Sequence, residues 1–219
     1  MTDRRTARLL AASAVAEGRP LDWFEQLYAS ARAGEAEVPW ANQQVNPNLQ
    51  SWLLLNPAVM HRTLVVGCGY GDDAQWLAAQ GCEVTAFDIA PSAIERCSER
   101  FPGTSVHYQV ANLLDPPRKW LASPFDLVVE AYTIQALPPS STERRAAMSM
   151  LPNLTAGALL VIARARAEGE DPGSMPWPLH RGEFHPLFER GMQELLFEDY
   201  LDPADPTVRR FRGTFVKHA

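Results

Sequence analysis

The stretch from Thr63 to Asp73 constrains this chain more than any other. A short apolar run, Leu64-Val65-Val66, is followed by three alternate glycines, Gly67, Gly69 and Gly71, and then by two aspartates, Asp72 and Asp73. Beyond them Ala74, Leu77 and Ala78 recur at helical spacing, and Gly81 supplies a helix stop. The pattern predicts strand, glycine turn, helix. Glycines at such a turn permit positive φ and let a ligand approach bare backbone.

A second apolar run, Val84-Thr85-Ala86-Phe87, ends in Asp88, seventeen positions beyond Gly71. An acid at the tip of a second strand is placed to bind the two hydroxyls of a ribose. Glycine turn and acid together predict a nucleoside across the ends of the first two strands. A dinucleotide fits this pattern less well. The third position of a G-x-G-x-x-G pattern is taken by Asp72, with Asp73 behind it, and two carboxylates at a helix start repel a diphosphate. No Gly-Lys-Ser/Thr of a phosphate-binding loop occurs. A nucleoside without phosphates fits, and S-adenosylmethionine is the common one.

With 219 residues, 46% of them hydrophobic, the chain is long enough to bury one substantial core, and a single domain is expected. Its formal charge of -6 argues against a nucleic-acid surface, which must neutralise phosphates. The arginines of Val208-Arg209-Arg210-Phe211-Arg212 alternate like a strand and are expected on a solvated face. Three cysteines, Cys68, Cys82 and Cys97, with no CxxC, predict reduced thiols, a cytoplasmic protein and no zinc site. The histidines His61, His107, His180, His185 and His218 show no metal spacing, and His180 and His185 read as loop residues. No apolar stretch approaches the roughly 20 residues that span a membrane. Arg4, Arg5 and Arg8 before the run 9–16 imitate an export signal, but the run is short and alanine-rich and reads as a leading helix.

Taken in order, residues 4–17 predict a helix ended by Gly18. Pro20 suits the first turn of a second helix, with Trp23, Phe24, Leu27, Tyr28 and Ala31 on its apolar face and Gly34 as its stop. A loop carrying Trp40 follows, then a third helix capped by Asn46-Pro47, with Leu49, Trp52 and Leu53 inward, closed by Asn56-Pro57. Residues 1–57 thus form a helical cover, and 62–219 an α/β core. In that core Pro91 opens a helix with Ile94 and Cys97 inward. Strands are expected at 106–110, 125–130 and 158–163, and Ser140-x-x-Glu143 reads as a capping box. The stretch 164–180 is loop-like, either a lid over the site or an ordinary surface loop. A last helix over 181–191 precedes two closing strands, 193–200 and 208–217, joined by the turn 201–206.

Four segments carry a resemblance. They are Trp23-Phe24-Glu25-Gln26-Leu27-Tyr28 with Pro39-Trp40 and Asn46-Pro47-Asn48-Leu49; Val66-Gly67-Cys68-Gly69-Tyr70-Gly71-Asp72; Val84 to Glu95; and Phe125 to Tyr132 with Gln135-Ala136-Leu137-Pro138-Pro139. On these the sequence resembles the class I S-adenosylmethionine-dependent methyltransferases, most of all the thiopurine and halide/thiol methyltransferases. The resemblance implies a Rossmann-like, mostly parallel seven-stranded sheet with helices on both faces and an antiparallel last strand. It places Gly67, Cys68, Gly69 and Gly71 under the cofactor, Asp88 on the ribose, and Ile89 and Leu113 beside the adenine. Asn112 stands where many relatives carry an aspartate, and its amide oxygen can still accept a hydrogen bond from the adenine amino group. Trp40 would cover the methionine end, with Glu130, Ala131 and Tyr132 near the sulfonium. Val65 stands where many class I enzymes have an acid, and Ala90 replaces a small hydroxyl residue before Pro91.

The implied chemistry is in-line methyl transfer to a small molecule, leaving S-adenosylhomocysteine. The protein must align the nucleophile and exclude water, and the faces of Trp40 and Tyr132 can stabilise a sulfonium. A thiol acceptor is partly ionised near neutral pH and needs no dedicated base; a halide needs none. Tyr28, Tyr132 and His180 are the candidate catalytic side chains. An N- or O-methyltransferase of a specialised metabolite, and a non-catalytic cofactor-binding regulator or scaffold, stay open as alternatives. Oligomeric state is not legible.

Overall fold

A computed structural model describes residues 4–56 and 62–217. Pro57, His61 and His218 therefore lie outside the described residues, and with them the Pro57 half of the stop expected for the third helix. Three helices come first: α1 (Arg5–Ala16), α2 (Asp22–Arg32) and α3 (Pro47–Leu55). The core then alternates β1 (Arg62–Val66), α4 (Asp72–Ala79), β2 (Glu83–Asp88), α5 (Pro91–Arg100), β3 (His107–Val110), α6 (Arg118–Ala122), β4 (Phe125–Ala131), α7 (Thr142–Leu154) and β5 (Thr155–Arg164). It closes with α8 (His185–Glu189), β6 (Met192–Asp202) and β7 (Asp205–Lys217).

The seven strands form one sheet in the order β3-β2-β1-β4-β5-β7-β6. β1 pairs in parallel with both β2 and β4, so the strand order reverses there. Ligands of open α/β sheets bind in the crevice outside such a reversal, at the carboxyl ends of the strands. β7 runs antiparallel between β5 and β6, as the resemblance implies.

The central strands β1, β4 and β5 bury both faces, which is why these segments read as continuous apolar runs. Leu64 and Val66 face a layer with Phe87, Val128, Met148 and Leu151, while Val65 faces the opposite layer with Ala74, Leu77, Leu127 and Val129. α3 joins the second layer through Leu49, Trp52 and Leu53. The indole Nε1 of Trp52 donates to Thr214 Oγ1 at 2.7 Å, pinning α3 onto β7. A third cluster joins Ala7 and Ala11 of α1 and Trp23 and Leu27 of α2 to Ala90, Ala93, Ala136 and Met175 of the core.

Several local expectations are corrected. Pro20 precedes α2 rather than entering its first turn. In α5 the fully buried side chains are Ser92, Ala93 and Cys97, with Ile94 half-buried. The cap of α7 is Ser141, whose hydroxyl accepts from Arg144 N at 3.1 Å; Ser140 sits in the left-handed region instead. The expected last helix divides into a 3₁₀ turn (Arg181–Phe184) and α8. β6 and β7 continue through most of the predicted turn, to a hairpin at Pro203-Ala204. Of the arginines of β7, Arg209 keeps to the solvated face, 41% exposed and paired with Asp199, while Arg210 and Arg212 do not. Arg212 is buried against Glu198, donating from Nη2 at 2.7 Å, and also holds the Asn48 carbonyl of the α3 start at 3.1 Å.

Candidate active site

A cleft of about 750 Å³ opens at the carboxyl ends of β1, β2, β4 and β5. Its floor is the turn after β1. Cys68 N donates to Phe87 O at 2.9 Å, which carries the parallel ladder one residue beyond Val66 and leaves Gly69 facing β2. Asp88, 5% exposed, receives the turn there: its Oδ2 accepts Gly69 N at 2.9 Å and its Oδ1 accepts Ala90 N at 3.0 Å. Burial raises its pKa while those amides pull it back.

The glycines do different work. At Gly67 (φ +59°) an added Cβ would lie 2.3 Å from Thr133 Oγ1, so this residue is small because the β4 tip presses on it. At Gly71 (φ +85°) the Cβ would lie 2.3 Å from the Tyr108 hydroxyl oxygen. Gly71 caps α4 and is not among the residues that line the cleft. Gly67, Cys68 and Gly69 do line it.

Aromatic rings from the N-terminal cover close one side. Trp40, 42% exposed, donates from Nε1 to the Tyr28 hydroxyl at 2.9 Å. Tyr28 meets Tyr70 of the glycine turn edge-on, with ring centroids 5.3 Å apart. Ile89, Asn112 and Leu113 line the side under β2 and β3. The Asn112 side-chain oxygen already accepts Leu114 N at 2.9 Å, so one of its lone pairs is spent on its own turn.

The tip of β4 forms the other side. Tyr132 holds a positive φ of 66°, and its hydroxyl accepts from Asn48 Nδ2 at 3.1 Å. The Arg210 guanidinium lies over its ring, 5.1 Å from the centroid, so that face is not free for a sulfonium. Glu130 is fully buried beneath the tip and does not line the cleft. Its Oε1 accepts the amides of Thr133 and Ile134 at 2.8 and 2.9 Å, and burial pushes its carboxyl up to about 7. Its place is to hold the tip in shape, because β alternation sends its side chain under the turn while Ala131 and Tyr132 border the cleft.

His180 is also outside the lining residues. Its Nδ1 accepts Gly182 N at 3.2 Å, capping the 3₁₀ turn, a use its loop-like sequence setting gave no sign of. The loop before it is pinned. Trp177 N donates to Gln135 O at 2.8 Å, and the buried Arg144 binds the Trp177 and Pro178 carbonyls.

The cleft is electrically graded. At the glycine end lie Asp72, Asp73 and Asp88. Asp72 is neutralised by Arg100, with Nη2 2.7 Å from Oδ1. Asp73 accepts Asn46 N at 2.7 Å, and burial pushes its carboxyl up to about 6. At the other end lie Arg4, Arg164 and Arg210, with Asp202 and Asp205 among them. Sequence spacing offered no route to this grading, because Asp73 and Asn46 meet across 27 positions and the arginines come from three separate elements. Among the described residues no helix is long and apolar enough to cross a membrane.

A solved structure of the N-methyltransferase NodS from Bradyrhizobium japonicum, in complex with S-adenosylhomocysteine, superposes with a TM-score of 0.67 at 20% identity, covering 89% of this chain and all of that one. Sheet order, glycine turn and buried acid thus define the Rossmann-like methyltransferase fold. A family model for thiopurine S-methyltransferase matches residues 30–214, and the chain belongs to that family. A thiopurine S-methyltransferase of Pseudomonas fluorescens is 32% identical over 146 residues, 59% of this chain and 66% of that protein. Another, from Pseudomonas syringae pv. tomato, is 36% identical over 75 residues, 34% of this chain and 32% of that protein. The matches therefore span from about a third to just under two thirds of the length of these curated relatives.

Proposed function

We propose that this protein is a methyltransferase that uses S-adenosylmethionine to methylate the sulfur of a small thiol, with a halide as the related acceptor. When bound, that cofactor supplies an electrophilic methyl group on a sulfonium. The cleft suits it: with Arg100 committed to Asp72, no free cation among the described residues waits for a phosphate at the glycine turn, and Asp73 and Asp88 favour a cationic ligand. In this reading the backbone of Gly67, Cys68 and Gly69 supports the nucleoside half. Asp88 holds the ribose, Ile89, Leu113 and Asn112 border the base, and Trp40 covers the methionine end. Ala131 and Tyr132 stand at the reacting end.

The observation that carries the thiol is the state of the cleft's hydroxyls. Burial pushes Tyr132 up to about 12 and Tyr28 well above the ordinary tyrosine range. Neither takes a proton from an acceptor near neutral pH, which suits a thiol, because a thiol is already partly ionised there. Alignment and exclusion of water are then the protein's tasks.

One observation favours a second reading. Asp73 borders the cleft with its carboxyl pushed up to about 6, in the range of a general base, which would serve an amine or hydroxyl acceptor. Calorimetry with S-adenosylmethionine, followed by a panel of thiols, iodide and amines scored by S-adenosylhomocysteine release, separates the readings. Thiol turnover that persists in Asp73→Asn supports the first. Turnover on amines alone, abolished by Asp73→Asn, supports the second. Binding without turnover on any acceptor would leave a non-catalytic cofactor-binding protein. The reading takes the chain as one domain, cover 1–57 on core 62–219, and the three free cysteines fit a reducing, cytoplasmic setting.

A further inference from the structure

Arg164 ends β5, and its Cα partner on β7 is Arg210. Like charges directly opposite on a sheet repel, and both side chains line the cleft, as does Arg4. Arg210 is provided for: its Nε binds Asp202 and its guanidinium rests on Tyr132. Arg164 is not. Its backbone N donates to Gln135 Oε1 at 2.8 Å, but its half-buried guanidinium makes no hydrogen bond or ion pair among the described residues. The other carboxylate at this end, Asp205, is engaged by Thr207, with Oδ1 2.6 Å from Oγ1 and 3.1 Å from N. Arg8 is turned to the Met175 carbonyl at 2.9 Å. Burial and the neighbouring charges of Arg4 and Arg210 weigh against its cation, and the attraction of Asp205, which makes no ion pair with it, only partly offsets them, so a ligand anion is favoured there. In the sheet, β5 is two strands from β1, about 10 Å at ordinary strand spacing. Arg164 therefore faces the acceptor's end of the cleft rather than the glycine turn.

We infer that the methyl acceptor carries an anionic group, a carboxylate in the simplest case, which docks on Arg164 with Arg4 and Arg210 flanking it. This rests on the proposed division of the cleft into a cofactor end and an acceptor end. Arg164 is a specificity-determining residue: it selects the acceptor by charge and fixes which end of it points toward the β4 tip. A guanidinium suits this because its planar donors pair with both oxygens of a carboxylate.

The test compares 3-mercaptopropionate with its neutral amide, 3-mercaptopropionamide. The wild type should prefer the acid by at least tenfold in kcat/KM. Arg164→Gln should cut that preference below threefold, and Arg164→Lys should keep part of it. A parallel arm needs no turnover: calorimetry of 3-(methylthio)propionate and its amide on the protein loaded with S-adenosylhomocysteine should show the same tenfold preference. Anion preference in this arm without turnover of any thiol would sink the thiol reading and support this one. Equal binding of acid and amide by the wild type overturns the inference without recourse to any variant. So does an undiminished preference in Arg164→Gln. A loss of S-adenosylhomocysteine affinity beyond threefold in Arg164→Gln also overturns it, because the arginine would then belong to the cofactor's own carboxylate.

Discussion

Asp88 Oδ2 accepts the amide of Gly69 at 2.9 Å, so the acid at the tip of β2 also fixes the glycine turn after β1. Its other oxygen holds Ala90 N at 3.0 Å, at the start of α5. Sequence alone casts Asp88 as a ligand acid; the structure shows that it also ties down two backbone amides. Asp88→Ala strands two buried amides, each worth about 1–3 kcal/mol. We expect a loss of about 2–4 kcal/mol in unfolding free energy together with at least a tenfold loss in S-adenosylhomocysteine affinity. Denaturant melts and calorimetry read the two separately, and unchanged affinity would remove Asp88 from the ribose.

Gly71 and Tyr108 are predicted to be energetically coupled. An alanine at 71 meets the Tyr108 hydroxyl oxygen at 2.3 Å and must also hold φ at +85°. Tyr108→Phe removes the clashing oxygen, although it also gives up the hydrogen bond from Gln75 Nε2 at 3.0 Å. Gly71→Ala should cost on the order of 2–4 kcal/mol, with about 1 kcal/mol of backbone strain remaining in the double variant. A double-mutant cycle should give a favourable coupling of about 1 kcal/mol or more. Strict additivity would show that the two do not touch.

Glu130→Gln should alter the pH dependence of stability in one direction. Burial raises the folded carboxyl from the ordinary 4.5 to about 7, so between those values the folded state binds more protons than the unfolded state. The stability this supplies is full below about 4.5 and is lost as pH rises through about 7. The change is on the order of 3 kcal/mol or less. Glutamine keeps an oxygen for the Thr133 and Ile134 amides but does not titrate, so its curve should lack that decline. Parallel wild-type and variant curves from pH 4.5 to 8 would contradict the assignment.

Trp40 touches the fold lightly and the cleft directly. At 42% exposure, its replacement by alanine should cost about 1 kcal/mol or less, yet lower kcat/KM at least tenfold. Trp40→Phe keeps a ring while losing the hydrogen bond to Tyr28 and should fall between. A rate untouched by either change would take Trp40 out of the site.

Much of the architecture was legible because the signals are local. Leu64 to Val66, Gly67 to Gly71 and Ala74 to Leu77 each act within one turn or one strand, and the alternation of buried strands with helices follows from periodicity. What sequence could not supply was the direction in which side chains meet across the sheet. Arg212 alternates like an exposed residue but is drawn in by Glu198 and the start of α3. Glu130 stands beside the cleft in sequence and beneath it in space. Ser140 has the capping-box spacing to Glu143, yet the chain's approach to α7 gives the cap to Ser141. His180 was selected for its chemistry, and a neighbouring amide had already claimed it.

The antiparallel hairpin at the end of the chain delivers Asp202 and Arg210 to the cleft, while Asp88 and the glycine turn come from the opposite half of the sheet. In the proposed reading the donor is held by one half of the sheet and its recipient by the other, where Arg164 of β5 meets this hairpin. Exchange of residues 192–217 between related chains should then retune what is methylated only in part, because Arg164 lies on β5 outside the exchanged stretch, and should leave the donor's grip intact.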